Sequence, residues 1–182
     1  MLTRLCVRAL LPTRHGGLDS PFVMVADAGN RSDVYGAVNF ARQYGMRKDE
    51  VADRILVTRP FTIYQLKRLL ATEMPKVIQK YQVKLVVIPG LLDLFDDPNI
   101  KRKEAKKQIS RMVEAINYAS GKVLVVASIQ EGKYTDLVSR NFKKQMKLTD
   151  VRHGRLAAEL YNHGERRNIS LVEKDLKIVT KR

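Results

Sequence analysis

The chain has 182 residues, of which 45% are hydrophobic and 29% charged. That composition is too apolar for a disordered chain, and no apolar run reaches the roughly 18 residues a membrane span needs. Thirty-four Lys and Arg against nineteen Asp and Glu leave a formal charge of +15; such a field attracts phosphates at long range and favours a polyanionic partner over a merely solubilising surface.

The first segment, Met1 to Pro12, carries Leu2, Leu5, Cys6, Ala9 and Leu10 at three- and four-residue spacing, which predicts a helix rather than a signal peptide. Cys6 is the single cysteine, so no internal disulfide can form. It reads as a small core residue, and the expected compartment is reducing and cytoplasmic. The run FVMVAD (22–27) predicts a buried strand. In 33–45, Val34, Val38, Ala41 and Tyr44 fall at helical spacing, with Asp33 as N-cap and Gly45 ending the helix. A second strand follows at 55–58, then a long helix over 62–81, which Pro75 should kink or split.

VKLVVI (83–88) is a strongly apolar strand closed by Pro89 and Gly90. The stretch 101–120 is helical, with Ile109, Met112, Val113 and Ile116 on one face, and KVLVVA (122–127) predicts another buried strand. Near-continuous apolar strands alternating with helices predict an α/β fold, with a mostly parallel central sheet covered by helices on both faces. From Arg155 the pattern changes to an antiparallel hairpin, with strands at 155–161 and 168–172 around a turn at 162–164 and a further strand at 175–179. The chain length predicts one domain over 1–182, with this hairpin region as an extension at about 155–179. His15, His153 and His163 show no metal-ligand spacing, and no nucleophile–base constellation is evident.

The order of these pieces resembles the ATPase core of the RecA/RadA family of DNA strand-exchange proteins, in its archaeal and eukaryotic branch. The tract 2–27 resembles the helix after the P-loop, a Gly-Gly-Leu turn and the next strand; ARQYGM (41–46) falls at the family's distance from Asp27. Residues 55–70 resemble the following strand and helix, and 83–95 the Walker B strand and its extension. VLVVASIQ (123–130) resembles the strand that ends in a polar sensor, and 154–172 the terminal hairpin. The resemblance implies a RecA-like P-loop NTPase core.

The family's catalytic pieces are missing. No G-x-x-x-x-G-K-S/T motif occurs, so no loop here cradles phosphates beside a lysine and a magnesium-binding hydroxyl. Asp27 matches the family's strand aspartate, but Gly29 stands where its catalytic glutamate would be, and glycine cannot activate a water. Pro89 aligns with the Walker B aspartate and has no ligand atom; Asp93 lies four residues on. Gln130 matches the sensor glutamine and is expected to be a structural amide here. The resemblance therefore implies a chain that is not an ATPase and has no cofactor, with ATP and Mg²⁺ entering only if a longer form carries a P-loop. In the family the strand before the P-loop lies inside the sheet. Without it, either the remaining strands close up, a partner fills the gap, or the sequence is a piece of a longer chain.

The family binds DNA through two loops. The first corresponds to 96–107, where Lys101, Arg102, Lys103, Lys106 and Lys107 stand against one acid, Glu104, at a helix start. Cations there oppose the helix dipole and suit a nearby phosphate; the competing reading is a solvated helix face. The second corresponds to 131–154, read as a long polar loop carrying Lys133, Arg140, Lys143, Lys144 and Lys147 with Tyr134 and Phe142 interleaved. Cations beside aromatics suit a single strand, whose phosphates pair and whose bases stack. The competing reading packs Phe142 and Met146 from a short helix onto the core. The resemblance thus implies a non-hydrolysing paralog that binds DNA in homologous recombination or repair, with a recombinase or a second copy as protein partner and no membrane. Two alternatives stay open: a structural RecA-like subunit of a ring or heteromeric complex that binds RNA, as in the small subunits of the Elongator tRNA-modification complex, or a fragment of an ATP-binding recombinase.

Overall fold

Four short aliphatic runs form the central sheet: β1 (Val23–Ala26), β2 (Ile55–Thr58), β3 (Leu85–Ile88) and β4 (Leu124–Ala127). The structure is a computed structural model that describes residues 2–151, 155–162 and 165–172. Every pairing in this sheet is parallel, in the order β2-β1-β3-β4. β1 and β3 are central and buried at all four positions, as expected of parallel strands covered on both faces.

Pleating sends alternate side chains to opposite faces. On one face Val23, Val25, Leu85 and Val87 pack with Cys6 and Val7 of α1 (Leu2–Ala9), Leu10 just after it, Ala37 and Ala41 of α2 (Val34–Gln43) and Val51 of α3 (Lys48–Asp53). Burial pushes the Cys6 thiol up to about 12, so it is an inert core residue, as its spacing predicts. The second face is covered by α4 (Ile63–Arg68), α5 (Met74–Tyr81) and α6 (Arg102–Ser120), whose Leu66, Met74, Ile109, Met112 and Ile116 are fully buried. The sandwich of helix, sheet and helix is the α/β architecture the sequence predicts.

Local chemistry sets the helix ends. The Asp33 carboxylate accepts from the Gly36 N–H and caps α2, and Gly45 follows at φ +69°, a left-handed turn that glycine adopts without strain. Pro75 splits the long helix as expected. Between α4 and α5 the chain takes a π-helical turn, Leu69–Glu73, and Pro75 sits in the first turn of α5 directly after it, where the proline cannot donate to a carbonyl of the preceding turn.

β3 pairs directly with β4, from Leu85 opposite Leu124 to Ile88 opposite Ala127, so β1 to β4 form one continuous parallel sheet. β4 is not the buried strand its composition predicts. It lies at the sheet edge, where Leu124 is 48% exposed.

The chain divides into two compact units, Met1–Leu137 and Val138–Arg182. The second holds an antiparallel sheet, β5 (Lys144–Val151), β6 (Arg155–Asn162) and β7 (Glu165–Val172), in that order. The β6–β7 hairpin matches the sequence reading. The strand expected at 175–179 lies outside the described residues; among the described ones β5 is the third strand of this sheet. Residues 131–154 are therefore not one long loop: they contain α7 (Thr135–Ser139) and β5. Nor do Phe142 and Met146 share a short helix, because Met146 lies on β5 opposite Leu160. No helix among the described residues is long and apolar enough to cross a membrane.

Candidate functional site

The carboxyl ends of β1 and β3 come unusually close. The Gly29 N–H donates to the Pro89 carbonyl at 3.0 Å. Gly90 holds φ +65°, and a Cβ there would stand 2.7 Å from the Gly29 Cα, so this approach needs glycine. The following 3₁₀ turn, Asp93–Phe95, brings the Asp93 carboxylate into the gap. Arg31 reaches it with two nitrogens: Nε donates to Asp93 Oδ2 at 2.8 Å and Nη2 lies 2.7 Å from the same oxygen. A Cβ on Gly29 would stand 2.5 Å from Asp93 Oδ2 and 2.8 Å from Arg31 Nε. The missing side chain at 29 is where this ion pair sits.

Asp27 holds the same loop from below. It is 1% exposed, and its carboxylate accepts from the Arg31 N–H at 2.7 Å, the Ser32 N–H at 3.0 Å and Arg59 Nε at 3.3 Å. Burial pushes its pKa up, but the hydrogen bonds from Ser32, Arg31 and Arg59 outweigh burial and hold it below the ordinary value of 3.8. Beside the loop, between α1 and the strand ends, lies a largely apolar cleft of about 180 Å³ lined by Cys6, Val25, Val57, Val87, Arg31 and Pro89 among others.

The first basic segment forms the start of α6. Lys101 is its N-cap, and Lys101, Arg102, Lys103, Lys106 and Lys107 are all exposed. None of the five makes an ion pair with another described residue. Helical periodicity stacks Lys103 under Lys107 and Arg102 under Lys106. The second segment is divided. Lys133 and Tyr134 belong to the first unit, and Arg140, Phe142, Lys143, Lys144 and Lys147 to the second. Tyr134 is 5% exposed, with its ring edge-on to Phe95 at 6.2 Å and the Lys133 ammonium 5.2 Å from its centroid. Its ring is core packing, so the expectation that it stacks on a base is corrected. Phe142 is half-buried at the turn before β5, Arg140 and Lys143 flank it in the open, and Lys144 and Lys147 lie on β5 itself. Gln130 is exposed, and its carbonyl accepts from the Thr135 hydroxyl at 3.4 Å.

A family model for Rad51 matches residues 1–148. The chain belongs to the Rad51 family. Among curated proteins none matches the chain. Its RecA-like α/β core is the fold that Rad51-family membership requires. The Mg²⁺-nucleotide chemistry implied by that fold does not fit the residues present. Pro89 offers no ligand atom, Gly29 offers no base, and the space a glutamate at 29 would need is taken by the Arg31–Asp93 pair.

The sequence alone singles out Gly29 and Pro89 but not the Arg31–Asp93 ion pair beside them. The one available signal was the coincidence of Gly29, Gly90 and Asp93 beside two aligned strand ends. It also stopped the basic column of α6 at Lys107, although Arg111 follows one turn later with the same exposure.

Proposed function

We propose that this Rad51-family chain is a non-hydrolysing paralog that binds DNA and assists homologous recombination or repair. The observation that carries the reading is the start of α6. Five exposed cations there lack any acidic partner among the described residues, in a chain of net charge +15. A solvated structural helix usually intersperses acids at four-residue spacing. Unpaired cations in register along one helix suit a row of phosphates. The second unit separately carries Arg140, Lys143, Lys144 and Lys147.

The occupied gap at Gly29 and Pro89 supports the non-hydrolysing half of the reading. Phosphate release from ATP, measured with and without single-stranded DNA, stays at the buffer rate. Turnover stimulated by DNA overturns that half and leaves the binding half standing.

A second reading, a structural subunit of a larger RecA-like assembly, is favoured by the two sheet edges that no described strand pairs with. β2 exposes Val57 at 40% and β4 exposes Leu124 at 48%, and open apolar edges invite another chain. Light scattering separates the readings: a stable ring that ignores DNA favours the structural subunit, and a DNA-binding monomer or dimer favours the paralog.

A further inference from the structure

We propose that the groove between α4–α5 and α6, on the helical face of the first unit, binds a single nucleic-acid strand, with phosphates on Lys67 and Arg111 and a base stacked on Tyr118. The inference rests on the nucleic-acid reading above and extends its path from the start of α6 into an adjoining groove. The groove encloses about 400 Å³ and is lined by Lys67, Ala71, Pro75, Arg111, Ala115 and Tyr118 among others. Its geometry has a local cause. The π turn Leu69–Glu73, set by Pro75, widens the helix backbone here, and the small side chains of Ala71 and Ala115 leave the space between the helices open.

The groove continues the basic column of α6. Lys103, Lys107 and Arg111 are four residues apart and exposed, and Tyr118 follows two turns later, about 22 Å along the axis from Lys103. Lys67 faces this column from α4. Glu114 is the one carboxylate in the lining. Arg111 forms no ion pair within the described residues.

Tyr118 decides the class of partner. The residue is 62% exposed, and unlike the more exposed Tyr35 and Phe61 it lines a groove that also holds Lys67 and Arg111. A further cation lies beside the ring: Lys122 Nζ donates to its hydroxyl at 3.1 Å and lies 4.6 Å from its centroid. An exposed ring beside cations offers what a strand with unpaired bases needs, a stacking platform next to phosphate partners. An acidic peptide satisfies the cations but gives the ring nothing planar to stack on.

The whole chain contains no tryptophan, so Tyr118→Trp provides a lone tryptophan at the groove, which can be excited apart from the tyrosines. Titration with a single-stranded oligonucleotide quenches it, and added salt reverses the quenching. Polyglutamate at matched charge leaves it unquenched. Tyr118→Ala weakens oligonucleotide binding by about tenfold, and Lys67→Ala with Arg111→Ala lowers the salt slope by about one to two. Lys103→Glu with Lys107→Glu tests the α6 start separately. If the α6-start variant weakens binding while the Tyr118 and Lys67/Arg111 variants bind as the parent does, the groove is overturned and the functional reading stands. Equal quenching by polyglutamate overturns the choice of partner. Absence of all oligonucleotide binding overturns both.

Discussion

Arg31 and Asp93 are 62 residues apart in the chain and 2.7 Å apart in the fold. They bridge the loops that follow β1 and β3, at the point where a glutamate side chain on residue 29 would have to enter. The pair is partly solvated, with Arg31 44% and Asp93 19% exposed, so its own contribution to stability is about 1 kcal/mol or less. Its larger effect is steric and electrostatic, because it fills the gap left by Gly29 and Gly90.

Gly29→Glu, the substitution that restores the family's glutamate, is therefore expected to destabilise rather than to activate. The new Cβ meets Asp93 Oδ2 at 2.5 Å, and a second carboxylate is forced beside the first. The expected loss is about 1–3 kcal/mol, read as a lower urea midpoint. ATP turnover remains absent. A variant as stable as the parent contradicts the geometry.

Asp27 makes stability depend on acid. Its folded pKa is depressed, so its contribution is complete above the ordinary value of 3.8 and is lost as pH falls through the folded value. Asp27→Asn removes charge-assisted bonds to Arg59 and to the N–H groups of Arg31 and Ser32, and costs about 1–3 kcal/mol at neutral pH. Urea denaturation at pH 7 and at pH 3 checks the sign: the difference between parent and variant shrinks at the lower pH. A gap that is constant with pH contradicts the assignment.

Tyr134 separates packing from binding. Tyr134→Ala empties a buried site against Phe95 and lowers stability by about 3 kcal/mol, visible as a fall in Tm. Tyr134→Phe keeps the ring contact and leaves DNA binding at the parent level. Loss of binding in Tyr134→Phe without loss of stability returns this residue to the interface.

The strands and helices of the first unit were legible because each is specified locally. VMVA and LVVI are uninterrupted apolar runs, Asp33 and Gly45 mark a helix by their backbone chemistry, and Pro75 cannot sit in a helix interior. α3 was missed because six residues with one buried side chain, Val51, give periodicity too little to act on. β5 was missed because its run is polar and its alternate residues Met146 and Leu148 stay 44% and 40% exposed; partnership with β6 defines the strand, and pairing is not a local property. The edge position of β4 is hidden for the same reason, since strand order is set by the tertiary fold. At the site, the losses at Gly29 and Pro89 could be read from types alone. The ion pair that fills the gap required two loops to meet.

The binding claim is tested most directly by fluorescence anisotropy of a labelled single-stranded oligonucleotide, titrated with the parent chain and with Lys103→Glu/Lys107→Glu across a salt series. The account predicts that affinity falls log-linearly with salt and that the variant binds more weakly, without sequence preference, with its slope reduced by about one to two. Absence of salt-dependent binding at micromolar protein, or a variant that matches the parent at every salt concentration, contradicts it.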